Sequence, residues 1–334
     1  MKLSEILVSA GVRADDLVGD ADITGICEDS RLVKRGDLFV VMPSARTDTS
    51  VFIEPAISAG ASAILASDAK SFETAKSRGV ACALIPSTGH RFMASLGRIC
   101  RMIFGDPSQS LRITAITGTN GKTTTAWMMR DALESLGRNA AYLGTLGLKT
   151  SNGSRELNNT TPFPVELWRL LQEVKESGAT DLVMETSSHA LVQRRLAGVA
   201  FDIGVFTNLT QDHLDFHGNM AAYEQAKLLL FTEYAMASTK AFAAAINVDG
   251  EVGPNWVADL PTPCVTFGRT RGDLQLTIES VTLNNIRGSV CGASFAANVG
   301  GDFNVSNLTS AAAGLSALGY SAREIASGLG SVTA

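Results

Sequence analysis

Residues 111–137, LRITAITGTNGKTTTAWMMRDALESLG, limit what this chain can fold into more than any other stretch. Leu111–Thr117 reads as a strand, and a turn with Gly118 and Gly121 follows it directly. A helical pattern then runs to Gly137, the expected stop by its lack of Cβ. Strand, glycine turn and helix are the context that a phosphate cradle requires. The spacing is shorter than that of the common P-loop, whose first Gly stands five residues before the second. Ile116 holds that position here, and the Gly comes at 118. Glycines let backbone N–H groups approach an anion, and the helix start adds unsatisfied N–H groups and a positive dipole end. Lys122 offers a full charge to the β/γ-phosphates, and Thr123 a hydroxyl to Mg²⁺. An ordinary strand-to-helix turn uses the same residue types.

The rest of the chain reads as α/β layers. Asp37–Met42, Ala61–Leu65 and Ala81–Ile85 are predicted strands, with helices around Ile53–Ala59 and Phe72–Ser77. Together they fill one small domain that ends at the turn residues Pro86–His90. A helix over Arg91–Phe104 opens a second series. Further strands follow at Ala140–Thr145, Thr180–Thr186, Phe201–Asn208 and Ala241–Asn247, apolar at their centres without alternation. That pattern suits a parallel sheet buried on both faces. Leu274–Ala297 changes to short alternating strands, and the last thirty or so residues are helical with Gly punctuation. The expected division is 1–87 and 88–334.

Apolar residues make up 45% of the 334 and charged ones 18%, enough for sizeable cores. A net charge of −5 argues against nucleic acid as a partner, because its phosphates favour a basic surface. The five cysteines, at 27, 82, 100, 264 and 291, form no CxxC pair and read as small buried apolar residues in a reducing compartment. The N-terminus meets acid early and lacks a long apolar run, so neither signal peptide nor membrane span is expected, and the cytoplasm is the default location.

In open α/β sheets, ligands gather outside the carboxyl ends of the strands. ETSSHAL follows one predicted strand and TNLTQDHLDFHG another, so Glu185, His189, Asp212, His213, Asp215 and His217 lie just past strand ends. Three of the four histidines fall there, and the fourth is His90. A solvated polar loop accounts for any one of these residues. As a group beside a phosphate loop, they read as partners for Mg²⁺ and ATP, with carboxylate the more usual donor than imidazole. Lys227 sits among apolar neighbours in AYEQAKLLLF. It reads either as a lysine carrying its head out from a core face or as a reactive amine of lowered pKa.

Taken together, DSRLVKRGDLFV, TGTNGKTTT, NTTPFP, METSSHALVQRRL, FTNLTQDHLDFHG, YEQAKLLLF, INVDG and GDFNVSN resemble the Mur ligases of bacterial cell-wall synthesis. The resemblance is strongest to the type that extends UDP-N-acetylmuramoyl-L-alanyl-D-glutamate. It implies a small N-terminal α/β domain for the UDP-sugar and a central P-loop ATPase-type domain with a mainly parallel sheet and a small additional β region. It also implies an ATP-dependent ligation: a substrate carboxylate becomes an acyl phosphate, and an incoming amine displaces phosphate to form an amide.

Carried over by motif, Gly118, Thr119, Asn120, Gly121, Lys122, Thr123 and Thr124 hold the phosphates, and Asn304 and Asn307 lie beside adenine. Thr123, Glu185, His213 and Lys227 serve Mg²⁺, with Lys227 carbamylated. Asn159, Thr160, Thr161, Ser187, Gln193 and Arg195 hold the sugar-peptide, and Ser30 contacts the uridine side. The implied partners are UDP-N-acetylmuramoyl dipeptide and a diamino acid, meso-diaminopimelate or L-lysine, acting on a monomer.

Two positions depart from the family pattern: PSARTDTSVFI replaces a Gly-rich turn, and Phe163 replaces an acidic residue. The family's C-terminal Rossmann-like domain has no counterpart here. The expectation is a ligase lacking that domain, so that this chain alone ligates poorly or not at all. The alternative is a short homologue that binds nucleotide or sugar-peptide without ligating. An unrelated P-loop NTPase fits the loop but not the SSHALVQRR and DHLDFHG segments.

Overall fold

A computed structural model describes residues 1–333. By compactness the chain forms two units. The first comprises residues 1–107, 163–172 and 193–199, and the second comprises 108–162, 173–192 and the remainder from 200.

The first unit is built on a five-stranded sheet. Its strands are β1 (Asp16–Val18), β2 (Gly25–Cys27), β3 (Asp37–Val40), β4 (Ala63–Ala66) and β5 (Ala81–Leu84), in the order β1-β5-β4-β3-β2. All neighbours are parallel except β1 on β5. Parallel strands need crossovers, and the helices Ile53–Ala59 and Ala69–Ser77 supply those from β3 to β4 and from β4 to β5. The Asp68 side chain caps the second by accepting from Ser71 N–H. Phe39, Ile53, Ile64, Phe72 and Cys82 form the core between sheet and helices. The helix Arg91–Ile103, which follows the turn at Pro86–His90, clusters with this unit.

One carboxyl in this unit is out of balance. Glu28, just after β2, buries Oε2 without a hydrogen-bond partner. Burial, then the neighbouring charge of Glu166, pushes its pKa up to about 7, against the opposing pull of Arg169. A carboxyl of raised folded pKa contributes stability that is complete below its unfolded value, near 4.5, and is lost as pH rises to about 7. Glu28→Gln is therefore expected to stabilise the protein above pH 7 by roughly 3 kcal/mol and to leave it unchanged below pH 4.5. Chemical denaturation of both proteins at pH 4 and pH 8 checks this.

The second unit holds an eight-stranded sheet. Its strands are β6 (Arg112–Thr117), β7 (Ala140–Gly144), β8 (Gly147–Thr150), β9 (Gly153–Arg155), β10 (Asp181–Glu185), β11 (Ile203–Phe206), β12 (Ala243–Asn247) and β13 (Cys264–Phe267). Their order is β13-β12-β11-β6-β10-β7-β8-β9, parallel from β13 to β7, with β8 and β9 as an antiparallel edge. β6 lies between β10 and β11, where successive strands pass from one side of the sheet to the other. That is the switch point at which a crevice opens beyond the strand ends. The register aligns the strand ends, with Ile116 opposite Glu185 and Thr117 opposite Phe206. A small antiparallel sheet of β14 (Leu276–Val281), β15 (Ile286–Val290) and β16 (Ala293–Ala297) matches the alternating pattern predicted there.

The helix over Lys227 differs from its expected extent. It runs Met220–Leu228 and then widens into a π turn, Leu230–Tyr234, in which Tyr234 N–H reaches back to Leu229 O. The wider turn carries Leu230, Phe231 and Tyr234 into the core. Among the described residues no helix is long and apolar enough to cross a membrane.

Candidate active site

The glycine loop between β6 and the helix Lys122–Ser135 is fastened to the segment after β11. Thr119 N–H donates to Asn208 O at 2.9 Å, and Asn120 N–H to Asn208 Oδ1 at 2.9 Å. In return, Thr207 Oγ1 and Asn208 Nδ2 donate to Asn120 O, at 2.7 and 3.0 Å. Gly118 is needed where it stands, because a Cβ there would overlap Thr207 Oγ1. Gly121 has φ +83°, and a Cβ there would run into Asn307 Oδ1. Asn307 thus lies against the loop, and its Nδ2 donates to Asn304 Oδ1 at 2.9 Å. A cleft of about 430 Å³ opens beside Thr123, Thr124, Trp127, Phe303 and Asn304.

Two lysines converge on one carbonyl. Lys122 Nζ donates to Gly118 O and Thr119 O, both at 2.9 Å, and Lys227 Nζ donates to Gly118 O at 2.8 Å. Lys227 is 1% exposed, with its Nζ 4.3 Å from the centre of the Tyr223 ring. Burial, then the positive Lys122, lowers its pKa to about 6, with Asp212 opposing. Burial also lowers the pKa of Lys122, against the pull of Glu185 and Asp212.

Glu185, at the end of β10, is fully buried and surrounded by donors. Oε1 accepts from Tyr142 Oη at 2.5 Å and Thr145 N–H at 2.8 Å. Oε2 accepts from Thr123 Oγ1 at 2.9 Å and Thr145 Oγ1 at 3.2 Å. A hydroxyl beside a carboxylate is the all-oxygen donor chemistry that Mg²⁺ prefers. No group of three His, Cys, Asp or Glu side chains suited to a metal occurs among the described residues.

His213 adopts a left-handed φ of +51° and has a side chain 46% exposed. Its ring meets the edge of His189 at 5.0 Å, and His189 packs on Phe216 at 4.0 Å. His217 Nε2 lies 2.9 Å from Ser188 Oγ. Burial, then His189, Lys227 and His213, lowers the His217 pKa to about 4. Asn159, Thr160, Thr161 and Ser187 lie in the same unit. Thr161 Oγ1 donates to Glu185 O at 3.0 Å and accepts from Ser187 N–H at 3.1 Å, and Thr160 Oγ1 lies 3.1 Å from Thr145 Oγ1. Ser30, Gln193 and Arg195 belong to the first unit. There Arg195 donates twice to Gln193 Oε1, at 2.9 and 2.7 Å, and its guanidinium lies 3.9 Å from the centre of the Phe163 ring. The aromatic that stands where an acid was expected thus forms a cation–π shelf for Arg195.

Sequence reasoning missed Tyr142, Thr145, Thr207, Asn208 and Tyr223. The strand-end rule that singled out Glu185 also covers Thr145, one residue past β7. Tyr142 carried no such signal, because it lies inside an apolar strand.

Comparison with known proteins agrees with this geometry. Residues 116–315 match the Mur ligase middle domain. The UDP-N-acetylmuramoyl-L-alanyl-D-glutamate--2,6-diaminopimelate ligase of Gloeobacter violaceus is 36% identical over 98% of this chain, and that of Streptomyces coelicolor is 33% identical over 99%. The chain spans 65% and 64% of their lengths, just under two thirds. A solved 2,6-diaminopimelate ligase structure of the same name superposes with a TM-score of 0.77 at 27% identity, covering 93% of this chain and 63% of that one. MurF from Acinetobacter baumannii shares the fold, with a TM-score of 0.67 at 19% identity over 99% of this chain and 68% of its own. With the middle-domain match covering more than half of its residues, including the glycine loop, Glu185 and Lys227, the chain belongs to the Mur ligase family.

Proposed function

We propose that this chain carries the nucleotide and sugar-peptide sites of an ATP-dependent ligase of peptidoglycan precursor synthesis. Its reaction would add a diamino acid to UDP-N-acetylmuramoyl-L-Ala-D-Glu, and the names of the relatives favour 2,6-diaminopimelate over L-lysine. The observation that carries this reading is one cluster: two lysines on the Gly118 carbonyl beside a buried Glu185 bonded to Thr123.

When bound, Mg-ATP supplies the phosphoryl group that activates the substrate carboxylate. The protein's part is to position groups and to balance charge. Loop residues Gly118 to Thr124 offer backbone N–H groups, and Lys122 offsets phosphate charge. Asn304 and Asn307 flank the base. Thr123, Glu185 and His213 hold the metal. The Lys227 amine, neutral above pH 6, adds CO₂: an N–C bond forms as one C–O π bond opens, one N–H proton leaves to solvent, and the neutral amine becomes an anionic carbamate whose oxygens would serve the metal. Asn159, Thr160, Thr161, Ser187, Gln193 and Arg195 hold the sugar-peptide, with Arg195 suited to bidentate pairing with an anion. Ser30 serves the uridine end. The protein acts as a cytoplasmic monomer, with residues 1–87 serving UDP-sugar binding and 88–334 serving ATP.

ADP release, measured with sugar-peptide and each diamino acid added singly and together, tests this. Turnover that needs both substrates supports the ligase. Binding of both ligands without turnover makes the chain a binding module. ADP release indifferent to the sugar-peptide contradicts the reading.

A further inference from the structure

Tyr142 stands apart from the groups used above. It is fully buried in the middle of β7, yet its phenol reaches the Glu185 carboxylate at 2.5 Å. The hydroxyl has one proton and one assignable direction. Leu146 N–H donates to Tyr142 Oη at 3.2 Å, which leaves the phenol proton for Glu185 Oε1. The ring cannot swing away, because Trp127 packs edge-on against it at 5.2 Å. Gly144 admits the contact, since any Cβ there would overlap both Glu185 Oε1 and the phenol.

The two carboxylate oxygens are therefore unlike. Oε1 holds two donors set by buried or backbone geometry, Tyr142 Oη and Thr145 N–H. Among the described residues, Oε2 accepts from the hydroxyls of Thr123 and Thr145, which rotate and can turn lone pairs toward a cation. We infer that Tyr142 is a positioning residue that fixes Glu185 so that Oε2 alone faces the divalent cation. This rests on the metal-site reading above. Ligating carboxylates are oriented by their own hydrogen-bond partners, and losing such a partner typically costs 10–100-fold in metal affinity.

The test is calorimetric titration of ATP into the 334-residue chain, first in EDTA and then across a Mg²⁺ series, for wild type and Tyr142→Phe. The wild type should bind ATP more tightly as Mg²⁺ rises. Tyr142→Phe should need about tenfold more Mg²⁺ for half of that gain, with unchanged ATP affinity in EDTA. A residue that only supports packing would weaken ATP binding in EDTA as well, and that result overturns the inference. So does a Mg²⁺ series that superposes on the wild type. A wild type that binds ATP without any Mg²⁺ dependence removes the metal-site reading itself, and the inference with it. Thr145→Val, on an exposed loop, is the second variant should Tyr142→Phe fold poorly. It removes one hydroxyl from Oε2 and should shift the Mg²⁺ requirement in the same direction, and no shift would overturn the inferred presentation of Oε2.

Discussion

Lys122→Ala is expected to weaken Mg-ATP binding about a hundredfold while the fold survives. The Lys122 ammonium reaches back over the loop to Gly118 O and Thr119 O, so its charge lies where β- and γ-phosphates would meet the helix start. Charge-assisted hydrogen bonds to a charged partner contribute up to about 3 kcal/mol each, roughly two decades of affinity. The side chain is only half-buried, so water can replace it on the two carbonyls and the loss of stability should be small. Lys122→Met keeps the alkyl stem and isolates the charge. Calorimetry with Mg-ATP and a melting curve for each variant check both halves. Wild-type affinity in either variant would remove Lys122 from the site.

In a full-length ligase that carries this sequence, Lys227→Ala is expected to abolish ligation, with partial recovery when short carboxylic acids take the place of the missing carbamate. An ordinary lysine at pH 7.5 is neutral in roughly one molecule in a thousand. Here burial and the neighbouring Lys122 hold the pKa near 6, so the amine is mostly neutral at that pH. With ¹³C-labelled bicarbonate, a protein-bound carbamate signal should therefore be present at pH 8 and fade as pH falls through 6. The linkage has a definite sign. The unfolded chain keeps the Lys227 proton up to about 10.5 and the folded chain only to about 6, so stability should rise with pH across that window. Lys227→Met in CO₂-free buffer should lose that slope and melt higher at pH 7. A fully active Lys227→Ala would leave Lys227 a buried structural lysine held on the Gly118 carbonyl.

The legible parts of the fold were those with a local signal. The strands β6, β10, β11 and β12 carried runs of apolar residues, and the glycine loop carried its own punctuation. Glu185 follows from the rule that ligands gather at carboxyl strand ends. The three-residue strands β1, β2 and β9 are too short to show a period, and the helix Pro164–Glu176 hid behind the motif preceding it. Segments 163–172 and 193–199 cluster with the first unit although they lie far along the chain, a long-range return that no local pattern encodes. The hydroxyl of Tyr142 was invisible for a different reason: in AAYLG it looks like one more aromatic in a buried strand. Only the register of β7 beside β10 brings it to Glu185.

On the reading proposed above, one chain holds both a nucleotide site and a sugar-peptide site. Separate calorimetric titrations of Mg-ATP and of UDP-N-acetylmuramoyl-L-Ala-D-Glu into the 334-residue protein test it most directly. Saturable binding of both is expected, with Mg-ATP binding weakened about a hundredfold in Lys122→Ala and sugar-peptide binding retained. Absence of sugar-peptide binding beside intact Mg-ATP binding would contradict it and leave a nucleotide-binding module.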